Sequence, residues 1–390
     1  MKRIENAEIV VALITCNNRD SVRHCAEMIG KGLRTYLNYL KPVMINFDCA
    51  SDDGTIEEFQ KADIHRTIEF FSIETKHRNV APYKELFDAA QRLEASFIVA
   101  VEAGVPSIEP LWVLQLAAPV IEEGYDIVAP RYYDPPFSHL FRDLFHAPLF
   151  ASLYGLALSN PALEHFSFSG RHLESLAKLL LSDDENTVSL NPVLRAAIMN
   201  QWKVCESITG ERKDETEPHK KLELDAFLIT APFIQSIEET NKLWNRDITL
   251  CVPPVYGEYR HRIVTGAPCN METLWEAFRD TIRKHFALIS RVFSRELFKE
   301  ICSRSEAPLR HGGIPLDIWG EIIFQLLTAS LQQKEVRQAM PALLSGFIAG
   351  RAVEPASGSL SLLSYNMERL ETQSFLDKRD AFLDSWNSRR

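Results

Sequence analysis

At 390 residues the chain is too long for one ordinary hydrophobic core, so two domains are expected. Its 46% hydrophobic and 25% charged residues are those of an ordinary soluble globular protein. A formal net charge of −10 argues against nucleic acid or an anionic membrane as the main partner, because phosphate-rich surfaces select a basic excess.

The N-terminal "MKRIENAEIVVALIT" has acidic residues ahead of a short apolar run and reads as a first strand, not a signal peptide. Helix follows through "SVRHCAEMIGKGLRTYLNYL", with apolar residues at Val22, Ala26, Ile29, Leu33 and Leu37. "PVMINFD" is a second strand, and "DDGTIEEFQKA" opens a helix that Asp52 or Asp53 can cap. "TIEFFSI", "FIVAVEA" and "DIVAPRYY" are further strands, separated by helices over "PYKELFDAAQRLEA" and "LWVLQLAAPVIEEG". Continuous apolar strands alternating with helices imply parallel strands covered on both faces. Right-handed crossovers then gather the strand-to-helix loops on one side, where a site forms.

From about residue 140 the alternation stops. "LFRDLFHAPLFASLYGLALS" is broken by Arg142, Asp143, His146 and Pro148, which argues for a buried or interfacial helix and against a membrane span. "SLNPVLRAAIMNQ" reads as helix, "KVCESIT" as strand, and the charged "GERKDETEPHKKLELD" as a mobile loop ahead of another helix. Beyond Trp244 the pattern is helical, and the aromatic stripe of Trp275, Phe278, Phe286 and Phe293 reads as core. Seven cysteines, at 16, 25, 49, 205, 251, 269 and 302, are scattered, odd in number and lack a CxxC pair. That fits reduced thiols and a cytoplasmic protein, and argues against a zinc site.

Two strand ends carry candidate chemistry. In "NFDCASDDGT" a strand ends at Asp48, where a carboxylate can accept hydrogen bonds from a base edge or a ribose, while Asp53 caps the following helix. In "FIVAVEAGVP" a buried strand ends at Glu102, where an acid can hold a metal or a sugar, or can simply face water.

"LITCNN", "DCASDDGT" and the late carboxylate on the fourth strand resemble the landmarks of GT-A glycosyltransferases. "IEPLWVLQLAAPVIEEGYDIVAPRYY", "APLFASLYGLAL", "FSFSGRHLESL", "NPVLRAAIMNQWKVCESITG" and "IPLDIWGEIIF" narrow the resemblance to the glucosylglycerate and mannosylglycerate synthase group, which includes glucosyl-3-phosphoglycerate synthase. It runs in patches along most of the chain. The resemblance implies an α/β fold: a GT-A (Rossmann-like, mostly parallel sheet) domain over 1–240, with a helical C-terminal domain over 241–390. It further implies transfer, with retention, of a hexose from a UDP- or GDP-linked sugar to a small polar acceptor such as glycerate. A divalent metal, Mg or Mn, would stabilise the leaving nucleotide, and a homodimer is implied as well.

Carried onto this chain, the resemblance places the nucleoside at Thr15, Asn17, Asp48 and Ser51; the family's lysine before the third helix has no match here, but Lys76, His77 and Arg78 lie just upstream and can reach a diphosphate. The DxD metal motif falls on Glu102-Ala103-Gly104, so its last acid is a glycine. Asp214 and His219 lie near the later metal histidine, and Glu164 and His165 stand where catalytic and acceptor residues are expected. Two accounts fit these departures. Either the site is rebuilt, with Glu102, Asp214 or His219 and His165 around the metal or with basic residues in its place, or the chain is a non-catalytic nucleotide- or sugar-binding relative. Nucleotidyl transfer, a third reading, lacks its glycine-rich phosphate loop after the first strand. His172 flanks the same region with a surface or capping role as the alternative, His139 and His146 read as satisfied buried histidines, and the Ser167–Gly170 turn marks no nucleophile.

Overall fold

The computed structural model describes residues 6–75, 82–105, 107–182, 190–212, 216–257, 266–354 and 363–388. By its internal contacts the chain divides into two compact units. The first comprises Met1–Tyr133, Ala162–Lys213 and Pro253–Arg262; the second comprises Asp134–Pro161, Asp214–Val252 and Ile263–Arg390. A boundary near residue 240 therefore falls inside the second unit.

The first unit is α/β. Its strands are β1 (Ile9–Thr15), β2 (Pro42–Asp48), β3 (Glu69–Glu74), β4 (Phe97–Glu102), β5 (Ile127–Tyr133), β6 (His165–Ser169), β7 (Val204–Glu211) and β8 (Val255–Tyr256). Helices α1 (Arg19–Tyr36), α2 (Thr55–Gln60), α3 (Tyr83–Arg92) and α4 (Leu111–Glu122) connect the first five, as the alternating pattern requires. The eight strands form one sheet in the order β3-β2-β1-β4-β6-β5-β7-β8. Every pairing is parallel except those of β6, which runs antiparallel between β4 and β5. β1 is apolar along almost its whole length because helices cover both faces of the sheet. α1 packs so closely that a Cβ on Gly32 would stand 2.1 Å from the Pro110 carbonyl oxygen, so only glycine serves there.

β6 is the element that local pattern does not announce: "HFSFS" is short and buried at four of its five residues. Its reversed direction matters for function. His165 pairs with Val101 and Ser169 with Phe97, so β6 begins at the edge where the parallel strands end and ends at the opposite edge. His172 is thereby carried away from the strand-end carboxylates. Its ring stacks on Trp202 at 3.8 Å, and its Nε2 bonds Asp126, which also accepts from Arg171 Nε at 2.9 Å and the Lys203 amide at 2.7 Å. This clip ties the starts of β5 and β7 to the end of β6. Burial alone would raise the Asp126 pKa, but the bonds from His172, Arg171 and the Lys203 amide outweigh it and lower the value. The stabilisation is thus complete above the unfolded carboxyl value near pH 4 and is lost as pH falls through the depressed folded value. Asp126→Asn is expected to cost about 2 kcal/mol at pH 7, discounted because Arg171 is half exposed. In urea melts the deficit should shrink below about pH 4; a deficit that stays constant with pH would reject this account.

The second unit is helical. A π-helical turn (Arg142–His146) leads into α5 (Ala147–Tyr154), whose every residue is buried. This is the apolar stretch whose interrupting residues argued against a span, and no described helix is long and apolar enough to cross a membrane. α6 (Leu173–Ser182) and α7 (Pro192–Asn200) belong to the first unit; α7 is capped by Asn191, whose side chain accepts from the Val193 and Leu194 amides. In the second unit follow α8 (Pro218–Glu239), α9 (Asn241–Trp244), α10 (Met271–Lys284), α11 (Phe286–Val292), α12 (Arg295–Glu306), α13 (Leu316–Gln332), α14 (Lys334–Val353) and α15 (Leu363–Asn387).

Two expectations are corrected here. "PHKKLELD" is not loop but the first turns of α8: Pro218 is set for a helix start, and Leu222 and Ala226 are buried despite the charges between them. Trp275, Phe278 and Phe293 are core, but Phe286 is 52% exposed because it opens the short α11 on its outer side. His139 and His146 are buried, His139 Nε2 lying 3.5 Å from Asp134 Oδ1 and the His146 ring 4.5 Å from that of Phe233.

Candidate active site

The ends of β1 and β2 form one locked corner. Thr15 and Asp48 are paired across the sheet, and Thr15 Oγ1 lies 2.8 Å from Asn46 Oδ1 and 2.9 Å from Asp48 Oδ1. Asp48 is fully buried. Its carboxylate also accepts from the Ser51 amide at 2.8 Å and the Ser51 hydroxyl at 2.7 Å. Ser51 Oγ in turn accepts the Asn17 amide at 2.8 Å, and Asn17 Oδ1 accepts the Asp52 amide at 3.1 Å. Asp53 bonds the Thr55 amide at 3.0 Å and the Arg19 amide at 3.0 Å, joining the starts of α2 and α1.

The structure thus brings Thr15, Asn17, Asp48 and Ser51 together. Asp48 holds the corner from beneath, while Asn17 is exposed at its surface. Asn17 and Ala50 both take the left-handed backbone, φ 56° and 53°. Asn adopts that conformation readily and Ala does not, so the hydrogen-bond lattice holds Ala50 there.

Along the same edge, β4, β6 and β7 end or begin together. The Glu102 amide donates to His165 Nδ1 at 3.1 Å, which leaves the ring proton on Nε2. His165 is fully buried, and its Nε2 has no hydrogen-bond partner among the described residues. The rings of Trp112 and Tyr132 stand edge-on to it at 5.7 and 6.2 Å. Burial, with the Arg212 charge opposing Glu164, lowers its pKa to about 4, so the imidazole is neutral at physiological pH.

Glu164 enters β6 just after Leu163, another left-handed residue at φ 53°. Its carboxylate pairs with Arg212 Nη1 at 2.7 Å. Arg212 follows directly on β7, and its guanidinium lies 5.5 Å from the centre of the Tyr132 ring, within cation–π range. Solvent reaches Glu102. Protein nonetheless crowds its carboxyl, and that desolvation, with the Glu164 charge second and Arg212 opposing, raises its pKa to about 7. Tyr83, at the start of α3, feels the same charge: burial and Glu102 both push its phenol up, and its hydroxyl accepts from Asn191 Nδ2 at 2.8 Å.

Among the described residues no three His, Cys, Asp or Glu side chains converge as a closed metal site. His165 is no ligand, since one ring nitrogen accepts the Glu102 amide and the other carries the proton. What does converge is a pair of carboxylates, Glu102 and Glu164, of which Glu102 holds its proton up to about pH 7, through desolvation first and the Glu164 charge second. Magnesium is commonly held by one or two carboxylates, substrate phosphates completing its shell, and the Glu102–Glu164 pair fits that demand. Gly104, in the place of the motif's last acid, has room: a Cβ there would meet only Asn18 Nδ2, at 3.5 Å.

Lys76, His77, Arg78 and Asp214 lie outside the described residues. His219 belongs to the second unit, on α8, 3.6 Å from Glu217. The residues missed from sequence are Arg212 and Tyr83. "TGER" after a strand was a basic signal at the right edge, but only the pairing of Arg212 with Glu164 gives it meaning.

No family model and no curated protein matches the chain. Among solved structures, glucosyl-3-phosphoglycerate synthase from Mycobacterium tuberculosis, in complex with Mn2+, UDP and glucosyl-3-phosphoglycerate, is similar over 60% of this chain and 82% of that one, at 16% identity and a TM-score of 0.44. The same enzyme with phosphoglyceric acid is similar at 17% identity and a TM-score of 0.43 over 60% and 82%. Its complex with Mg2+ and UDP is similar at 16% and 0.41 over the same shares.

Proposed function

We propose that this chain is a hexosyltransferase that takes its sugar from a nucleoside diphosphate, UDP or GDP, and passes it to a small polar acceptor. The observation that carries the reading is the meeting of Glu102, Glu164 and Arg212 on the strand-end edge that also bears the Asn17–Ser51 corner. In this reading the corner holds the nucleoside. Arg212, oriented by Glu164 and the Tyr132 ring, sets a positive charge against the diphosphate as negative charge grows on it. Glu102 and Glu164 would hold a divalent cation, which when bound supplies Lewis-acid stabilisation of the departing nucleotide. His165 keeps an Nε2 proton to donate toward the sugar or acceptor. Retention of configuration follows from the motif resemblance alone.

Charge makes the reading testable. Two carboxylates against one guanidinium leave a net negative charge, which repels a diphosphate. Either a proton on Glu102 or a divalent cation must offset it. Calorimetric titration with UDP, GDP and their sugar conjugates is therefore expected to behave differently with and without Mg or Mn. Without metal, affinity should fall about tenfold from pH 6 to pH 8, as Glu102 loses its proton through a pKa of about 7. With metal, the pH dependence should flatten. Gly104→Asp should tighten the metal-dependent mode by about tenfold, a common scale for one added support to a metal site. Absence of binding to every nucleotide, with and without metal, would sink the proposal.

One observation favours a second reading, a nucleotide- or sugar-binding protein without catalysis: glycine replaces the last motif acid. Nucleotide binding accompanied by neither transfer nor hydrolysis of any sugar conjugate would select it.

A further inference from the structure

Two of the seven cysteines meet in the Asn17–Ser51 corner. Thr15 and Asp48 are the last pair of the β1–β2 register, and their side chains bond at 2.9 Å on one face of the sheet. One step further Cys16 stands against Cys49, and the Cys49 amide still donates to the Thr15 carbonyl at 2.8 Å. Neighbouring strands lie about 4.8 Å apart, within the roughly 4.4–6.8 Å between α-carbons that a disulfide spans. The Cys16 thiol already lies on its neighbour: its Sγ is 3.8 Å from the Cys49 carbonyl oxygen. Cys49 is 3% exposed, whereas solvent reaches Cys16. Burial first, and Cys16 beside it second, push the Cys49 thiol up to about 11. Cys16 is therefore the sulfur that a reagent in solution meets first.

Each cysteine also precedes a residue in the left-handed backbone, Asn17 after Cys16 and Ala50 after Cys49. Ala50 keeps that unfavourable conformation only because the lattice around Asp48, Ser51 and Asn17 holds it. Drawing the two sulfurs to about 2 Å turns the Cys16 side chain off the Cys49 carbonyl and shifts the strand ends. The shift passes directly to Asn17 and Ala50. Through them it reaches the bonds of the Asn17 amide to Ser51 Oγ and of the Asp52 amide to Asn17 Oδ1. The state of the two thiols is thus coupled to the geometry of the corner.

We propose that Cys16 and Cys49 are a redox-active dithiol that closes into an intramolecular disulfide and in closing loosens the corner; its consequence for binding rests on the nucleotide-sugar reading. The oxidant is a low-molecular-weight disulfide. The Cys16 thiolate attacks it, forming a mixed disulfide and releasing one thiolate. The Cys49 thiolate then attacks the Cys16 sulfur and releases the second. Two protein thiols are oxidised, one disulfide is reduced to two thiols, and the two protons pass to the released sulfurs. The test treats the full chain, carrying Cys251→Ser to remove the exposed thiol, with oxidised glutathione. Peptide mapping without reductant is expected to find Cys16 linked to Cys49. Hydrogen exchange at the Asn17 and Asp52 amides should quicken about tenfold, the scale of one lost hydrogen bond. Affinity for UDP or GDP should fall about tenfold as well, and dithiothreitol should reverse both changes. Cys49→Ser should stop at glutathione on Cys16, and Cys16→Ser should show no change in exchange on oxidation. Glutathione retained on Cys16 while Cys49 is intact, or a Cys16–Cys49 disulfide with unaltered exchange, would overturn the proposal. Mapping and exchange need no ligand, so a protein that binds no nucleotide in either state sinks the nucleotide-sugar reading while these two measurements still decide the dithiol.

Discussion

Arg212→Met is expected to weaken nucleotide binding about a hundredfold while leaving the protein folded. Charge-assisted hydrogen bonds from a guanidinium to a phosphate contribute about 1.5–3 kcal/mol. Removing the guanidinium also deprives Glu102 and Glu164 of the positive charge that opposes theirs, so the edge becomes more negative toward the incoming diphosphate. The fold should tolerate the change: the abandoned Glu164 is 30% exposed and water can solvate it, at a cost of about 1 kcal/mol or less. Arg212→Lys keeps the charge but loses the planar fork and the stacking on Tyr132, so an intermediate loss of about tenfold is expected. Calorimetry with UDP or GDP in excess Mg decides the matter. Affinity for Arg212→Met within threefold of wild type would remove Arg212 from the site.

The largest effect on stability is expected in the helical unit, at Arg351. This arginine is 5% exposed and its partner Glu371 is 1% exposed. Its Nε and Nη2 reach Glu371 Oε1 at 3.0 and 2.7 Å, and its Nη1 reaches the Ile314 carbonyl at 3.0 Å and Glu354 at 2.6 Å. The group ties α14 to α15 and to the segment before α13. Arg351→Ala strands a carboxylate in the interior, which typically costs about 3–5 kcal/mol. The pair is nevertheless not irreplaceable, because its Coulomb gain largely repays desolvation. Arg351→Met with Glu371→Leu should therefore regain more than half of the loss. Thermal and urea melts of the single and double variants test both statements; a single variant within 1 kcal/mol of wild type would show the pair to be dispensable.

The parts of this molecule legible from the chain alone are those written in local pattern. Runs such as "IVVALIT" and "FIVAVE" are apolar at nearly every position because both faces of a parallel sheet are covered, and the 3.6-residue spacing of Val22, Ala26, Ile29 and Leu33 places α1 against it. Asp48 and Glu102 could be singled out because each closes such a run. Their identity and edge of the sheet followed from the alternation of strand and helix. The helical character of the chain beyond Trp244 was equally local.

What tertiary structure alone decided is which strand ends meet. No periodicity within "HFSFS" says that it runs antiparallel between β4 and β5, since strand neighbours are chosen by long-range pairing and not by the segment's own pattern. That one reversal brings Glu164 and His165 to Glu102 and sends His172, seven residues after His165, to the Asp126 clip at the opposite edge. It also gives Arg212 its partner across the sheet. Asp48 shows the same division: its residue type and position were plain in the sequence, but its complete burial under Thr15 and Ser51 depends on β1 lying beside β2. Local pattern determined the elements and named the acids; non-local pairing determined which charges face one another, and electrostatics follows distance in space, not in sequence.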